Sequence, residues 1–372
     1  MQFLMRLGRF VRVNLVFVIA VCAAAVTCFI VPPDGEYPGY FDFRTLTCLF
    51  CTLAVVGALS NVGFFYALAQ RIVRRFGNLR AAVTALVYIT FLGSMLLAND
   101  MALLTFLPLG YFVLRETESE SHMAFTFIMQ NIAANLGGML TPFGNPQNLY
   151  LYSYFSIPTG EFLSIMFPPF LISVALITLC CIVFTPKKPL SIRGEAAHPP
   201  KGKTAAYLLL FAFSIVIVFR VIPYWVGLLV VPPALFFLDR KALTRLDYPL
   251  IGTFAAFFVF SGNMGRMAAV QSFFGSLLAR GTMVFSALSC QLISNVPSAI
   301  LLSRFTENYP ELLLGVNIGG CGTLIASLAS LITFRSFLCN DPRHGKRYFL
   351  LFTAFNFAFL IILLLAMTWI RR

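Results

Sequence analysis

Charge is what this chain has least of. Asp, Glu, Lys and Arg make up 11% of its 372 residues, against roughly a quarter in soluble domains. That scarcity excludes a water-facing globular surface. Acids are the rarest charges, 14 against 27 Lys and Arg. Histidine is rarer still, and His122, His198 and His344 all fall in predicted loops, where they are given no role. There is no Walker loop, no G-x-S-x-G and no H-E-x-x-H, so no enzyme motif competes for the reading. The nine cysteines do not form a disulfide framework, because most lie inside apolar runs. Cys48-x-x-Cys51 has no second pair or histidine nearby to complete a metal site. The expectation is therefore a protein that is not an enzyme, with no cofactor and no resident metal.

What is present is apolar length. Hydrophobic residues make up 59% of the chain. Val13–Val31, Leu163–Phe184 and Phe349–Ile370 are stretches of mostly apolar residues, near the ~20 needed to cross a bilayer. The 41 Phe suit a lipid-facing surface. The net charge of +13 does not mean nucleic acid, because the basic residues sit in short loops between apolar runs. The expected surroundings are the lipid bilayer of a plasma (bacterial inner) membrane. Arg6, Arg9 and Arg12 precede Val13–Val31, as in a secretory leader, but the run is longer than a leader core. It reads as a first membrane helix, retained, with the N-terminus cytoplasmic.

One short pattern occurs twice. Asn135-Leu136-Gly137-Gly138-Met139-Leu140-Thr141 recurs as Asn317-Ile318-Gly319-Gly320-Cys321-Gly322-Thr323. Asn, both Gly and Thr coincide at a constant offset of 182, the difference between 317 and 135. Gly-Gly and Asn are poor helix formers. Non-helical backbone at membrane depth is tolerated only where protein buries it or a cavity borders it. Paired helix breaks in the two halves of a membrane protein point to a transporter's binding site.

Loop charges predict the path. Val13–Val31 crosses outward and Thr45–Gln70 returns to Arg71, Arg74, Arg75 and Arg80. Ala81–Leu97 and Met101–Leu114 flank Asn99-Asp100 as a re-entrant hairpin, and Met123–Phe155 is a discontinuous helix. Phe162–Phe184 returns to a basic loop with Lys187, Lys188, Arg193, Lys201 and Lys203. Ala205–Ile222 goes out, Trp225–Leu238 returns and Pro249–Gly265 goes out. Thr282–Ile293 and Val296–Phe305 flank Ser294-Asn295 as a second hairpin, entering from outside. Glu311–Phe334 is the second discontinuous helix, and Tyr348–Ile370 exits. Arg371 and Arg372 then lie outside, against the charge rule. The expected fold is an all-α polytopic membrane protein with about nine crossings. It is an inverted-topology repeat with two re-entrant hairpins and two discontinuous helices. Residues 1–185 form the first repeat, 186–222 a basic cytoplasmic loop and linker helix, and 223–372 the second, inverted repeat.

The breaks set the expected site. A helix that stops in the membrane exposes N–H groups at one end, which favour anions, and C=O groups at the other, which coordinate cations. Asn side chains offer both donors and an acceptor. The candidate substrate- and ion-binding residues are Asn99, Asp100, Asn135, Gly138, Thr141, Gly144, Asn145, Asn148, Ser294, Asn295, Asn317, Gly320 and Thr323. Asn61-Val62-Gly63 matches Asn263-Met264-Gly265, so Asn61, Asn263 and Arg266 are secondary candidates. Arg266 has the alternative of reaching outward to the interface, and Arg220 is expected to do so. Asp100 is the one acid that this topology places in the membrane interior. It reads as a cation or proton site, or as a helix cap accepting from Ala102 or Leu103 N–H.

Together these residues carry a family resemblance. Thr141-Pro142-Phe143-Gly144-Asn145-Pro146-Gln147-Asn148-Leu149 resembles the T-P-x-G-N/T-P-x-N-L signature of the ion transporter superfamily. That group includes arsenite permeases, NhaD-type sodium/proton antiporters, and divalent-anion or citrate/sodium symporters. Asn99-Asp100 resembles its first hairpin tip, with Ala98 where Ser is usual. Ser294-Asn295-Val296-Pro297 resembles the second, with Val-Pro in place of Thr. The resemblance implies an elevator-type secondary carrier, usually a homodimer, with substrate and Na⁺ at the tips. The leading expectation is a Na⁺- or H⁺-coupled carrier of a small inorganic or organic anion. The alternatives are a Na⁺/H⁺ antiporter and an arsenite-type efflux permease or channel-like pore.

Overall fold

The computed structural model describes residues 14–73, 75–189 and 199–371. Arg6, Arg9, Arg12, Arg74, Arg193 and Arg372, which carry part of the charge argument above, lie outside the described residues, as does His198. Among the described residues the secondary structure is helical, apart from one isolated bridge between Asn78 and Pro189.

Among the described residues, the α-helices of the first half are α1 (Leu15–Ile30), α2 (Phe43–Asn61), α3 (Phe64–Val73), α4 (Leu79–Ser94), α5 (Asn99–Glu116), α6 (Met123–Gly137), α7 (Pro146–Tyr154) and α8 (Thr159–Phe184). The second adds α9 (Lys201–Val218), α10 (Tyr224–Leu238), α11 (Arg240–Thr244), α12 (Tyr248–Gly265) and α13 (Ala268–Ala279). It ends with α14 (Thr282–Ile293), α15 (Asn295–Leu302), α16 (Tyr309–Ile318), α17 (Leu328–Asn340) and α18 (Gly345–Ile370). Among the described residues, α2, α8, α9 and the stretch Pro342–Ile370 are long and apolar enough to cross a bilayer.

Local chemistry explains the boundaries. Asp42 accepts from Thr45 N–H at 3.0 Å to start α2, and Asn78 accepts from Ala81 N–H at 2.9 Å to start α4. Asp247 with Pro249 starts α12, and Asn308 with Pro310 starts α16. Two elements differ from expectation. The single span Thr45–Gln70 is two helices, because Gly63 at φ 71° ends α2. Residues 268–279, given no element from sequence, form α13, which meets α14 at a bend of 120°.

Packing is reciprocal between the halves. α1 lies on α12, while α10 lies on α2. Within each half the hairpin helices pack on the first arm of the broken helix: α4 and α5 on α6, α14 and α15 on α16. Across the halves, α17 packs on α5 and α6, and α7 packs on α15 and α16. Glycines set these contacts close. A Cβ on Gly137 would come within 2.1 Å of Phe91 O in α4, and one on Gly315 within 2.4 Å of Met283 O in α14. Small residues allow such helix approach without a lipid-facing gap.

Candidate functional site

The two breaks are built alike. Gly138–Leu140 is a short 3₁₀ turn after α6, and Asn145 precedes Pro146 at the start of α7. Thr141 Oγ1 donates to Met95 O at 2.7 Å, and Thr323 Oγ1 donates to Gln291 O at 3.1 Å. Met95 and Gln291 each stand four residues before a tip asparagine, Asn99 or Asn295. Each break is thus tied to its own hairpin at the same register. Asn148 Nδ2 donates to the carbonyls of Gly138, Met139 and Thr141, covering oxygens of the non-helical break that follows α6. Gly144 is required here, since a Cβ would lie 2.4 Å from Gly138 O and 2.6 Å from Thr141 Oγ1.

The tips are also alike. Asn99 Oδ1 accepts Asp100 N–H at 3.0 Å, and Asn295 Oδ1 accepts Val296 N–H at 2.9 Å. The second tip is strained: Ser294 sits at φ 75°, held by Asn295 N–H to Ala326 O at 2.9 Å and by its own Oγ to Ala326 O. Such strain in a non-glycine residue clusters at functional sites.

Tips and breaks converge. Asn99 Nδ2 donates to Asn135 Oδ1 at 3.0 Å, and Ser327 Oγ donates to the same oxygen at 2.8 Å. In the other half, Asn317 Oδ1 receives Asn145 Nδ2 and Gln147 Nε2, both at 3.4 Å. Asn317 Nδ2 donates to Asn148 Oδ1 at 2.6 Å. Each asparagine of the repeated pattern is therefore bonded by the residue that begins the other half's second arm, Ser327 or Asn145. Gly320 borders the second tip and the first tip's partner: a Cβ there would lie 3.4 Å from Asn295 Nδ2 and 3.7 Å from Asn135 Oδ1. These side chains are 4% exposed or less. None of the residues bonded into the centre is basic.

Asp100 stands at the edge of this cluster, part-buried, and its Oδ1 has no hydrogen-bond partner. It does not cap α5 through that oxygen; the first N–H of the helix to be capped is its own, by Asn99. The secondary candidates lie elsewhere. Asn61 Nδ2 donates to Asp239 Oδ2 at 3.0 Å, and Asn263 Nδ2 to Thr27 Oγ1 at 3.2 Å. Arg266 pairs with Asp34 at 2.7 Å and Glu36 at 3.6 Å, and donates to Tyr40 Oη. Arg220 does not reach outward as expected. It turns onto α7, stacking on the Tyr152 ring at 4.1 Å and donating to Tyr152 O, because the last carbonyls of a helix attract a cation.

The Arg266 hydrogen bond holds the Asp34 carboxyl below its usual value. A depressed acid adds stability above its unfolded pKa of about 3.9 and loses it as the pH falls through the folded value. Asp34→Asn should therefore lower the melting temperature at neutral pH and make no difference well below about pH 4. Thermal unfolding of both proteins across pH checks this; an equal offset at every pH would contradict it.

Several residues of the centre were not candidates from sequence. Ser327 had a signal, since it stands 182 residues after Asn145. Gln291 holds the second break through Gly319 O and Cys321 O at 2.9 and 3.0 Å. Asn131 joins Ser330 at 3.4 Å and Asn356 at 3.3 Å one turn from Asn135. A separate cavity of about 450 Å³, lined by Arg280, Thr282, Glu307, Asn308 and Glu311, holds none of the central residues.

Known proteins resemble this chain over most of its length. Residues 3–309 match the family of citrate transporters, CitMHS. An uncharacterised transporter of Methanocaldococcus jannaschii is 30% identical over 79% of this chain and 81% of its own length. Inner membrane protein YbiR of Escherichia coli is 30% identical over 87% of both chains. The silicon efflux transporter LSI3 of Oryza sativa is 30% identical over 41% of this chain and 31% of its own.

Proposed function

Because the chain belongs to the citrate transporter family of the ion transporter superfamily, we propose that it is a secondary active transporter rather than an enzyme, carrying a small anion or oxyanion by elevator-type alternating access. Na⁺ or H⁺ is the coupling ion, and the working form is a homodimer in the plasma membrane. The observation that carries this reading is the central cluster, in which Asn99, Asn135, Asn145, Asn317 and Ser327 from both halves bond to one another. Two tips and two breaks meeting at one place suit a single cargo site. The reciprocal packing of α1 on α12 and α10 on α2 supports an inverted repeat. The moving unit would be the hairpins with the broken helices, α2 with α9 and α10 forming the support.

A second reading has its own observation. LSI3 is named as an efflux transporter of silicon, and its partial similarity favours export of an inorganic oxyacid by the same centre. Proteoliposomes test coupled carriage. Uptake of citrate or another dicarboxylate should rise several-fold under an imposed inward Na⁺ or H⁺ gradient. Equal flux with and without either gradient would point to a passive pore.

A further inference from the structure

The end of α7 is gripped by two arginines. Tyr152 and Tyr154 stand in its last turn, two residues apart and so on opposite sides of the helix. Arg220, just past the end of α9, lies over the Tyr152 ring at 4.1 Å and donates to Tyr152 O. Arg304, just past the end of α15, lies 5.3 Å from the centre of the Tyr154 ring. Its Nη2 also donates to Tyr40 O at 3.0 Å. Tyr40 belongs to the α1–α2 loop, and its ring sits on Gly262 of α12, where a Cβ would come within 2.4 Å. By the match of Asn61 with Asn263, α12 is the counterpart of α2. Each arginine thus crosses the seam between the support and the moving unit, in opposite directions. Arg220 reaches from the support to α7, and Arg304 reaches from the second hairpin to the loop held on α12.

Neither contact is a finished ion pair. A guanidinium on a carbonyl makes a strong, charge-assisted hydrogen bond. Yet among the described residues neither arginine pairs with an acid, and each keeps its Nε buried without a partner, which costs free energy. Arg220 also stands at φ 64°, a backbone conformation rare for a bulky residue and concentrated at switch regions. Arg266, which ties the same loop to α12, differs: it pairs with Asp34 and Glu36. We propose that Arg220 and Arg304 are latches that hold the moving unit against the support in this arrangement, and that both release when the cargo site changes sides. This rests on the carrier reading and its moving unit. Sliding of one unit past the other breaks both bonds, so each latch weights the equilibrium toward the arrangement seen.

Spin-label distances test it by pulsed electron resonance on the full-length protein in lipid nanodiscs without cargo. Cysteines for labelling replace Gly35, in the α1–α2 loop, and Glu307, between α15 and α16, in an otherwise cysteine-free protein. Glu307 is exposed, and a Cβ at Gly35 meets no atom within 4 Å. Arg220→Gln and Arg304→Gln should each raise the population at a second distance at least about ten-fold, the worth of a hydrogen bond from a charged group. Arg220→Lys and Arg304→Lys keep the charge and should fall between wild type and Gln. Asn263→Leu is the control: it removes the bond from α12 to Thr27 of α1, so it should lower the melting temperature and leave the distances as in wild type. An unchanged distance in both folded Gln variants would overturn the proposal. So would a second distance that grows as much in Asn263→Leu, because general loosening would then explain it. Should a Gln variant fail to fold, its Lys variant carries the test with the same two outcomes. A second distance released by the arginine variants, in a protein that moves no cargo in proteoliposomes, would leave the latches standing and remove the carrier reading.

Discussion

Asp100→Asn protein should insert and fold normally and lose gradient-driven transport on the order of 100-fold. The substitution removes one charge and almost no volume. Asn caps a helix about as well as Asp, and the Asp100 oxygen that is buried makes no cap bond to lose. If the carboxylate binds Na⁺ or a proton, the loss is in coupling: exchange of cargo at equal concentrations across the membrane should fall less than uptake driven by a gradient. Full gradient-driven uptake by a well-folded Asp100→Asn protein would place the coupling ion on backbone carbonyls or neutral side chains of the centre instead.

Asn317→Leu should be worse for both folding and transport. Asn317 joins four partners: Asn145, Gln147, Asn148 and Leu313 O. Leu would leave Asn148 Oδ1 and two amide donors buried without their partner, at about 1–3 kcal/mol for each orphaned group. Transport should be undetectable and the melting temperature clearly lower. Asn263→Leu is the contrast. Asn263 is fully buried and bonds Thr27 at 3.2 Å, and it makes no hydrogen bond to the central asparagines. It should cost stability and leave the substrate preference unchanged. Equal transport by Asn317→Leu and wild type would mean that the central cluster is a packing device.

The helical fold was legible because apolar runs and loop charges mark spans strongly. The breaks were legible because their Gly-Gly and Asn residues oppose the helical pattern around them. Asn135 and Asn317 could be paired by their offset alone, yet their actual partners could not. The offset does not say that Asn135 is bonded by Ser327 and Asn317 by Asn145, across the halves. A register gives which residues are equivalent, not which half they face. α13 escaped notice because residues 268–279 carry neither a break nor a charge pattern that demands an element. Asn61, Asn263 and Arg266 matched in sequence because both halves end a helix the same way. Their partners, Asp239, Thr27 and Asp34, show that the match serves helix ends joined to the opposite half. Sequence points Arg220 outward because snorkelling is the ordinary fate of an arginine at a helix end. Only tertiary structure brings the Tyr152 carbonyl to it.

The central claim is that two oppositely oriented halves close on one polar centre, and labelling tests it most directly. α8 and α18 are the last helices of the two halves, and Lys188 follows the first while Lys346 begins the second. Opposite orientation puts the end of one and the start of the other on the same side. Single cysteines at positions 188 and 346 in an otherwise cysteine-free protein should both react with a membrane-impermeant maleimide only when the cytoplasmic face is open. Reaction of one from each side, or of both from outside, would contradict the inverted arrangement and with it the shared centre.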